Sequence, residues 1–210
     1  MPRVRRVIFA MTGASATPYA FRLLEVLAKG KIGVELMASP NVDELCRVES
    51  GTTLAGELEK IYESAPAEGE SLGEAEDGGP LVRRHGLADF AAAAASGSGQ
   101  DVPMLVLPCS TGTLGRIATG VSDNLITRAA DVCLKERRRL VLVPRETPLS
   151  AIHLENMLTL TRAGAVILPA SPGFYYKPGG IDDLLDFIVQ RILDQLGVDL
   201  RILKGWGEND

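Results

Sequence analysis

Read only for its hydrophobic and polar positions, the chain alternates between short apolar runs and longer segments patterned for helices. Five runs are rich in aliphatic and β-branched residues: Arg6–Met11 (RVIFAM), Gly33–Ala38 (GVELMA), 104–107 (MLVL), 140–143 (LVLV) and 165–168 (AVIL). Runs this short and this apolar on both sides of the backbone predict strands buried on two faces. Between them, Thr17–Lys29 carries Pro18 at a first helical position, where its missing N–H costs nothing. The spacing of Leu125, Ala129, Val132 and Cys133 predicts a helix over 122–137, with Ser122 and Asp123 as cap candidates. A further helix is predicted over Ile181–Leu196, opening on Asp182 and Asp183 and burying Leu185, Ile188, Val189 and Ile192. Apolar strands alternating with helices predict a doubly wound α/β domain with a parallel sheet. In such folds the ligand crevice lies beyond the carboxyl ends of the strands.

Length and composition narrow the class. With 210 residues, 46% hydrophobic and 23% charged, the chain suits one domain over 1–210 and excludes disordered, collagenous and coiled-coil classes. Its longest charge-free stretch, 7–21, is broken by Thr12, Gly13 and Pro18 and falls short of the ~20 apolar residues that a membrane-spanning helix needs. Arg3, Arg5 and Arg6 precede a strand rather than a signal peptide, so a cytoplasmic protein with no membrane partner is expected. Cys46, Cys109 and Cys133 with His85 and His153 show no metal-ligand or disulfide spacing, so no metal site is expected.

The net charge of −5 is concentrated in 64–80, where Glu68, Glu70, Glu74, Glu76 and Asp77 stand with four Gly, two Pro and no base. Without those five, the remaining 22 acids equal the 22 bases. This segment is expected to be a flexible, solvated surface insertion, and a C-terminal tail is expected from about 198. The basic string 137–139 reads as a solvated helix end, so no nucleic-acid partner is expected.

Four strand ends carry the candidate chemistry. The first run leads into Thr12-Gly13-Ala14-Ser15, either a tight turn or a cradle of amides and a hydroxyl for an anion at a helix N-terminus. The second ends at Ser39, and the third runs into Cys109-Ser110-Thr111-Gly112-Thr113, whose hydroxyls suit a phosphate or a heterocycle edge. Cys109 reads as a small buried hydrophobe. The fourth ends in Arg145-Glu146: the arginine is placed to hold phosphate, and the glutamate to move a proton. The fifth leads into an aromatic-basic loop with Tyr175 and Lys177. Arg128, Asp131 and Lys135 lie at helical offsets, which fits either an ion-pair ladder or a ligand-facing row. Hydroxyls, amides and cations without a metal fit a phosphorylated organic molecule.

These strings together resemble the UbiX-like flavin prenyltransferases. The matching stretches are GAS at 13–15, LPCSTGTL at 107–114, DNLITRAADVCLKERRRLVLVPRETPL at 123–149, IHLENML at 152–158, FYYKP at 174–178 and RILDQL at 191–196. The resemblance implies a flavodoxin-like (Rossmann-like) three-layer αβα sandwich with a parallel sheet. It also implies joining of a dimethylallyl group from dimethylallyl phosphate to N5 and C6 of reduced FMN, with no metal. The prenylated FMN would pass to a UbiD-like decarboxylase. Carried onto this chain, the FMN contacts implied are Gly13, Ala14, Ser15, Ser39, Ser110, Thr111, Gly112, Thr113 and Arg145. Those implied for the dimethylallyl phosphate are Tyr175, Arg191, Lys135 and Arg128. The catalytic group implied is Glu146, Lys135, Glu49 and Tyr175, and Trp206 aligns with a tryptophan near the prenyl group. The resemblance further implies a homo-oligomer built from trimers, a dodecamer, whose sites lie where subunits meet. One departure stands in the first loop, where Ala16 occupies a position that is glycine in many relatives. The alternatives are a flavin-dependent cysteine decarboxylase of the same fold, and a non-catalytic protein that binds FMN and delivers it to a decarboxylase.

Overall fold

The computed structural model describes residues 3–99 and 101–203, which leaves Trp206 outside the described residues. Seven strands form one sheet in the order β3-β4-β2-β1-β5-β6-β7. They are β1 (Arg6–Met11), β2 (Gly33–Ala38), β3 (Ser71–Leu72), β4 (Val82–His85), β5 (Met104–Cys109), β6 (Leu140–Pro144) and β7 (Val166–Ile167). All neighbours pair in parallel except β3, which runs antiparallel to β4. Among the described residues seven α-helices cover the sheet: α1 (Thr17–Lys29), α2 (Val42–Ser50), α3 (Leu54–Tyr62), α4 (Thr111–Ala118), α5 (Leu125–Lys135), α6 (Ala151–Arg162) and α7 (Ile181–Leu196).

The period-two alternation of β1 splits the core. Val7, Phe9 and Met11 point into one layer with α1, α2, α3 and α7, whereas Ile8 and Ala10 point into the other with α4, α5 and α6. Strand order reverses at β1: the chain runs outward through β2 on one side and through β5 on the other. That reversal opens a crevice at the carboxyl edge between β1 and its neighbours.

The expected strands and helices are present, with shifted boundaries. The third and fourth runs extend to Cys109 and Pro144, and the fifth pairs only over Val166–Ile167. Helix α5 begins later than expected, and its cap is Asn124, not Ser122 or Asp123. Asn124 Oδ1 accepts from Thr127 N at 3.1 Å while Thr127 Oγ1 accepts from Asn124 N at 3.3 Å. This reciprocal pair satisfies two end groups at once, which a lone Ser or Asp cap does not.

Segment 64–80 lies on the surface and makes defined contacts with the body. Ser71–Leu72 pairs with β4, and Glu76 N donates to Lys31 O at 2.9 Å. Asp77 takes two hydrogen bonds of 2.8 Å from Arg6, a side chain only 9% exposed at the start of the central strand. Arg6 also donates to Glu35 at 2.9 Å, and Glu35 meets His85 Nε2 at 2.6 Å. A charge buried in a core strand must be paired, and the acidic segment supplies the pair. The hydrogen bond that His85 Nε2 donates to the Glu35 carboxylate, working against the lowering effect of burial, holds the His85 pKa above its ordinary value. At the other end, residues 199–203 fold back on α7, where Gln190 Oε1 accepts from Ile202 N at 2.8 Å.

Replacing Asp77 by alanine leaves the Arg6 guanidinium with Glu35 and a single carbonyl. We expect a loss of about 1–3 kcal/mol in unfolding free energy. Urea denaturation checks this, and an unchanged midpoint would mean that the segment contributes nothing to the sheet.

Candidate functional site

The carboxyl ends of β1, β2, β5 and β6 are laced together by the turn that follows β1. Thr12 is buried, and its hydroxyl donates to Pro108 O at 2.8 Å and accepts from Ser110 N at 2.8 Å. On the other side Ser39 N donates to Met11 O at 2.9 Å. A Cβ at Gly13 would stand 3.2 Å from Asn41 Cβ, so the close approach of this turn to the start of α2 favours glycine. Arg145 reaches over the same turn, its Nε donating to Ser15 O at 3.2 Å. Gly13, Ala14, Ser15, Ser39, Ser110 and Arg145 therefore share one edge of the sheet.

Two features of that edge call for a polar ligand. Ser39 Oγ is buried and has no hydrogen-bond partner among the described residues. Helix α4 opens there with Ser110 as its cap, Oγ accepting from Thr113 N at 3.2 Å. Helix geometry leaves the first-turn amides of Thr111 and Gly112 without carbonyl partners inside α4, a positive end suited to phosphate. Burial pushes the Cys109 thiol up to about 12, so this residue is core and not a nucleophile. Among the described residues no cluster of His, Cys, Asp and Glu stands close enough to hold a metal.

Glu49, from the last turn of α2, lies against the first turn of α1. Its carboxylate accepts from Ala16 N at 3.2 Å, Thr17 N at 2.9 Å and Thr17 Oγ1 at 2.7 Å. Burial acts to raise its pKa, but these bonds and one from the Ser15 hydroxyl outweigh it and leave the carboxyl below its usual range. Glu146 is exposed beside Arg145, and its Oε1 accepts from Thr147 N at 3.0 Å.

The remaining expected residues do not converge within the chain. Lys135 ends α5 beside Glu136 and Gly97, in the segment that feeds the amino end of β5. A six-residue strand spans about 20 Å, so Lys135 is at the far edge of the sheet from Arg145. Arg128 pairs with Asp131 at 3.0 Å and donates to Ala95 O at 3.2 Å on the same layer. Arg128 and Asp131 thus form an ion pair, whereas Lys135 pairs with Glu136. Tyr175, 59% exposed, stands edge-on to Phe187 of α7 at 5.7 Å between ring centroids. Arg191 follows one turn along α7 from Phe187 and pairs with Asp194 at 3.0 Å. Helices α5 and α7 pack on opposite faces of the sheet, so Lys135 with Arg128 is separated by the whole sheet from Tyr175 with Arg191.

Sequence reasoning gave no separate role to Thr12 or Asn41. Thr12 carried a signal in its position, a hydroxyl directly behind five apolar residues. Asn41 carried none beyond its place before α2.

The sequence profile of the flavoprotein family matches residues 1–193. A flavin prenyltransferase UbiX of Pseudomonas aeruginosa is 46% identical over 204 residues, covering 97% of this chain and 94% of its own. The crystal structure of AnUbiX in complex with FMN and dimethylallyl pyrophosphate superposes with a TM-score of 0.79 at 40% identity, over 97% of this chain and 100% of that one. A dodecameric FMN-dependent UbiX-like decarboxylase from Escherichia coli O157:H7 superposes with a TM-score of 0.80 at 37% identity, over 96% and 98%. Peptidyl-cysteine decarboxylase EpiD, at 16% identity and a TM-score of 0.52 over 88% and 98%, shares the fold alone.

One residue of the first turn is strained. Ala16 sits at φ 132°, ψ 27°, a region that L-residues rarely enter. Such backbone costs about 1–3 kcal/mol, and glycine there sheds most of it against the loss of one buried methyl and some chain entropy. We expect Ala16→Gly to be net stabilising by about 1 kcal/mol, raising Tm by about 2–4 °C in a thermal scan.

Proposed function

The chain belongs to the flavoprotein family, as one of its UbiX-type flavin prenyltransferases, and we propose that it joins a dimethylallyl group from a dimethylallyl phosphate to N5 and C6 of reduced FMN. The observation that carries this reading is the edge where the Ser39 hydroxyl, the open amino end of α4 and Arg145 face one crevice. These groups fit a flavin mononucleotide. The α4 amides with Ser110, Thr111, Gly112 and Thr113 suit its phosphate, the 13–15 turn lies against it, and Ser39 gains the partner it lacks. When bound, the reduced flavin supplies the nucleophilic nitrogen and the aromatic carbon that receive the prenyl group.

The protein's own part is binding, charge stabilisation and exclusion of water. Breaking the allylic C–O bond puts charge on the departing phosphate, which Lys135, Arg128 and Arg191 stabilise. Tyr175 shelters the allylic cation with its ring face. Glu146 moves a proton to the departing phosphate, from a strand end beside Arg145. Because the sheet separates Lys135 and Arg128 from Tyr175 and Arg191, the donor's site is read as shared between copies, in a dodecamer of trimers. Exposed apolar side chains on α6 (Ile152, Leu154 and Leu158), together with Phe174, support such contacts. The product is read as passing to a UbiD-like decarboxylase. Three free cysteines, at 46, 109 and 133, support a reducing, cytoplasmic setting. Among the described residues no helix is long and apolar enough to cross a membrane.

Anaerobic incubation with reduced FMN and dimethylallyl monophosphate, followed by mass analysis, should give a flavin heavier by one prenyl unit. An unchanged flavin mass with either the mono- or the diphosphate donor would defeat the transferase reading. Arg145→Ala removes a charge-assisted contact and should weaken FMN binding about 10–100-fold, measured by fluorescence titration.

A further inference from the structure

Helix α1 has Pro18 in its first turn but neither a side-chain cap nor an acid there. Its N-cap residue is Ala16, which has no side-chain acceptor, and no acidic residue stands in its first turn. The alanine is only 6% exposed and sits at φ 132°, so it cannot relax outward into solvent. Conformations of this kind persist only where the surroundings over-determine them.

Here the surroundings are one carboxylate from another helix. Glu49 Oε2 takes the Thr17 amide and the Thr17 hydroxyl, and both of its oxygens stand 3.2 Å from the Ala16 amide. Glu49 thus does for α1 what a cap serine or aspartate would do locally. It also fixes the direction of the Ala16 amide, which the strained φ alone would leave costly. The residues pinned in this way, 15 to 17, continue the turn whose Ser15 carbonyl receives Arg145. A carboxylate with both oxygens engaged by the loop is poorly free to exchange protons with a ligand.

We propose that Glu49 is a positioning residue, which caps α1 from α2 and so holds the 13–15 turn in the shape that meets the flavin. The alanine at 16 makes this chain depend on that carboxylate, because a glycine would hold the same backbone without strain. The proposal deepens the prenyltransferase reading and rests on it for the identity of the ligand, whereas the coupling between positions 16 and 49 is independent of any ligand.

The test is a double-mutant cycle on the full chain: wild type, Ala16→Gly, Glu49→Gln and the double variant, each measured for Tm without flavin and for FMN affinity. Glutamine keeps one acceptor oxygen and turns the other into a donor that faces amides. The expected result is that Glu49→Gln lowers Tm and weakens FMN binding at least tenfold in the wild-type background. Against Ala16→Gly the same change should weaken binding less than threefold, with a smaller fall in Tm. In turnover the loss should appear in KM for reduced FMN rather than in kcat. Equal losses in both backgrounds, or unchanged affinity with kcat abolished, would overturn the proposal. If Glu49→Gln does not fold, Glu49→Asp, one methylene short of the amides, is read in the same cycle by the same criteria. Wild-type protein that shows the Tm coupling but binds no FMN would sink the functional reading while leaving the cap in place.

Discussion

Burial of β1 on both faces is the constraint from which the rest of the molecule follows. All six of its residues are buried, and its backbone is paired with β2 on one side and β5 on the other. No polar side chain can act along such a strand without a partner, so chemistry is displaced to the points where pairing stops. At the carboxyl end the chain leaves the sheet through small residues, and Thr12 converts the last buried position into a clasp between two neighbouring strand ends. At the amino end Arg6 is the exception, and it is retained only because Asp77 and Glu35 neutralise it. Both ends of one strand thus dictate what lies around them.

The same constraint decides what could be read from the residues. Central strands reveal themselves because burial on two faces demands unbroken apolar runs, and α1 and α7 because Pro18 and the Asp182-Asp183 pair mark their starts. Strand β4 stays hidden: Val82 and His85 flank two arginines, and four residues at that composition carry no period-two signal. Helix α6 is equally silent, since Leu160 is its one buried residue, Met157 packs only partly against the core, and Ile152, Leu154 and Leu158 are exposed. The contacts of the 64–80 segment are hidden for another reason. Its composition is that of a solvated loop, but composition cannot show that one of its carboxylates reaches a buried guanidinium. The Glu49 contact depends on how α2 packs against α1, 33 positions away, and no local pattern encodes that.

Charge requires the same correction. Counting the acidic segment apart from a neutral body treats its five carboxylates as independent of the sheet. Asp77 is spent on Arg6, and Glu76 approaches Arg3 at 3.6 Å. The second contact is half-exposed and worth little, whereas the first is bidentate and shielded, so the acids of the segment are unequal. The pair leaves the net charge at −5 but moves one negative charge from the segment to the body, which is then no longer neutral.

The candidate site divides into groups held in two different ways. The turn at 13–15, Ser39, the start of α4 and Arg145 are fixed by strand ends of a single sheet, so their mutual positions are as rigid as the core. The groups read as handling the donor phosphate lie on α5 and α7, in layers that a continuous sheet keeps apart. Rotamer changes cannot bring them together, because the distance is set by the thickness of the sheet and the length of its strands. On the reading proposed above, a flavin pocket then exists in each copy, while the prenyl pocket closes only where copies meet. Such a division suits the chemistry: a flavin tolerates water at its binding stage, but an allylic cation does not. Exposed apolar residues on α6 and in the 174–176 loop would exclude that water as subunits associate, so assembly and protection of the cation become one event.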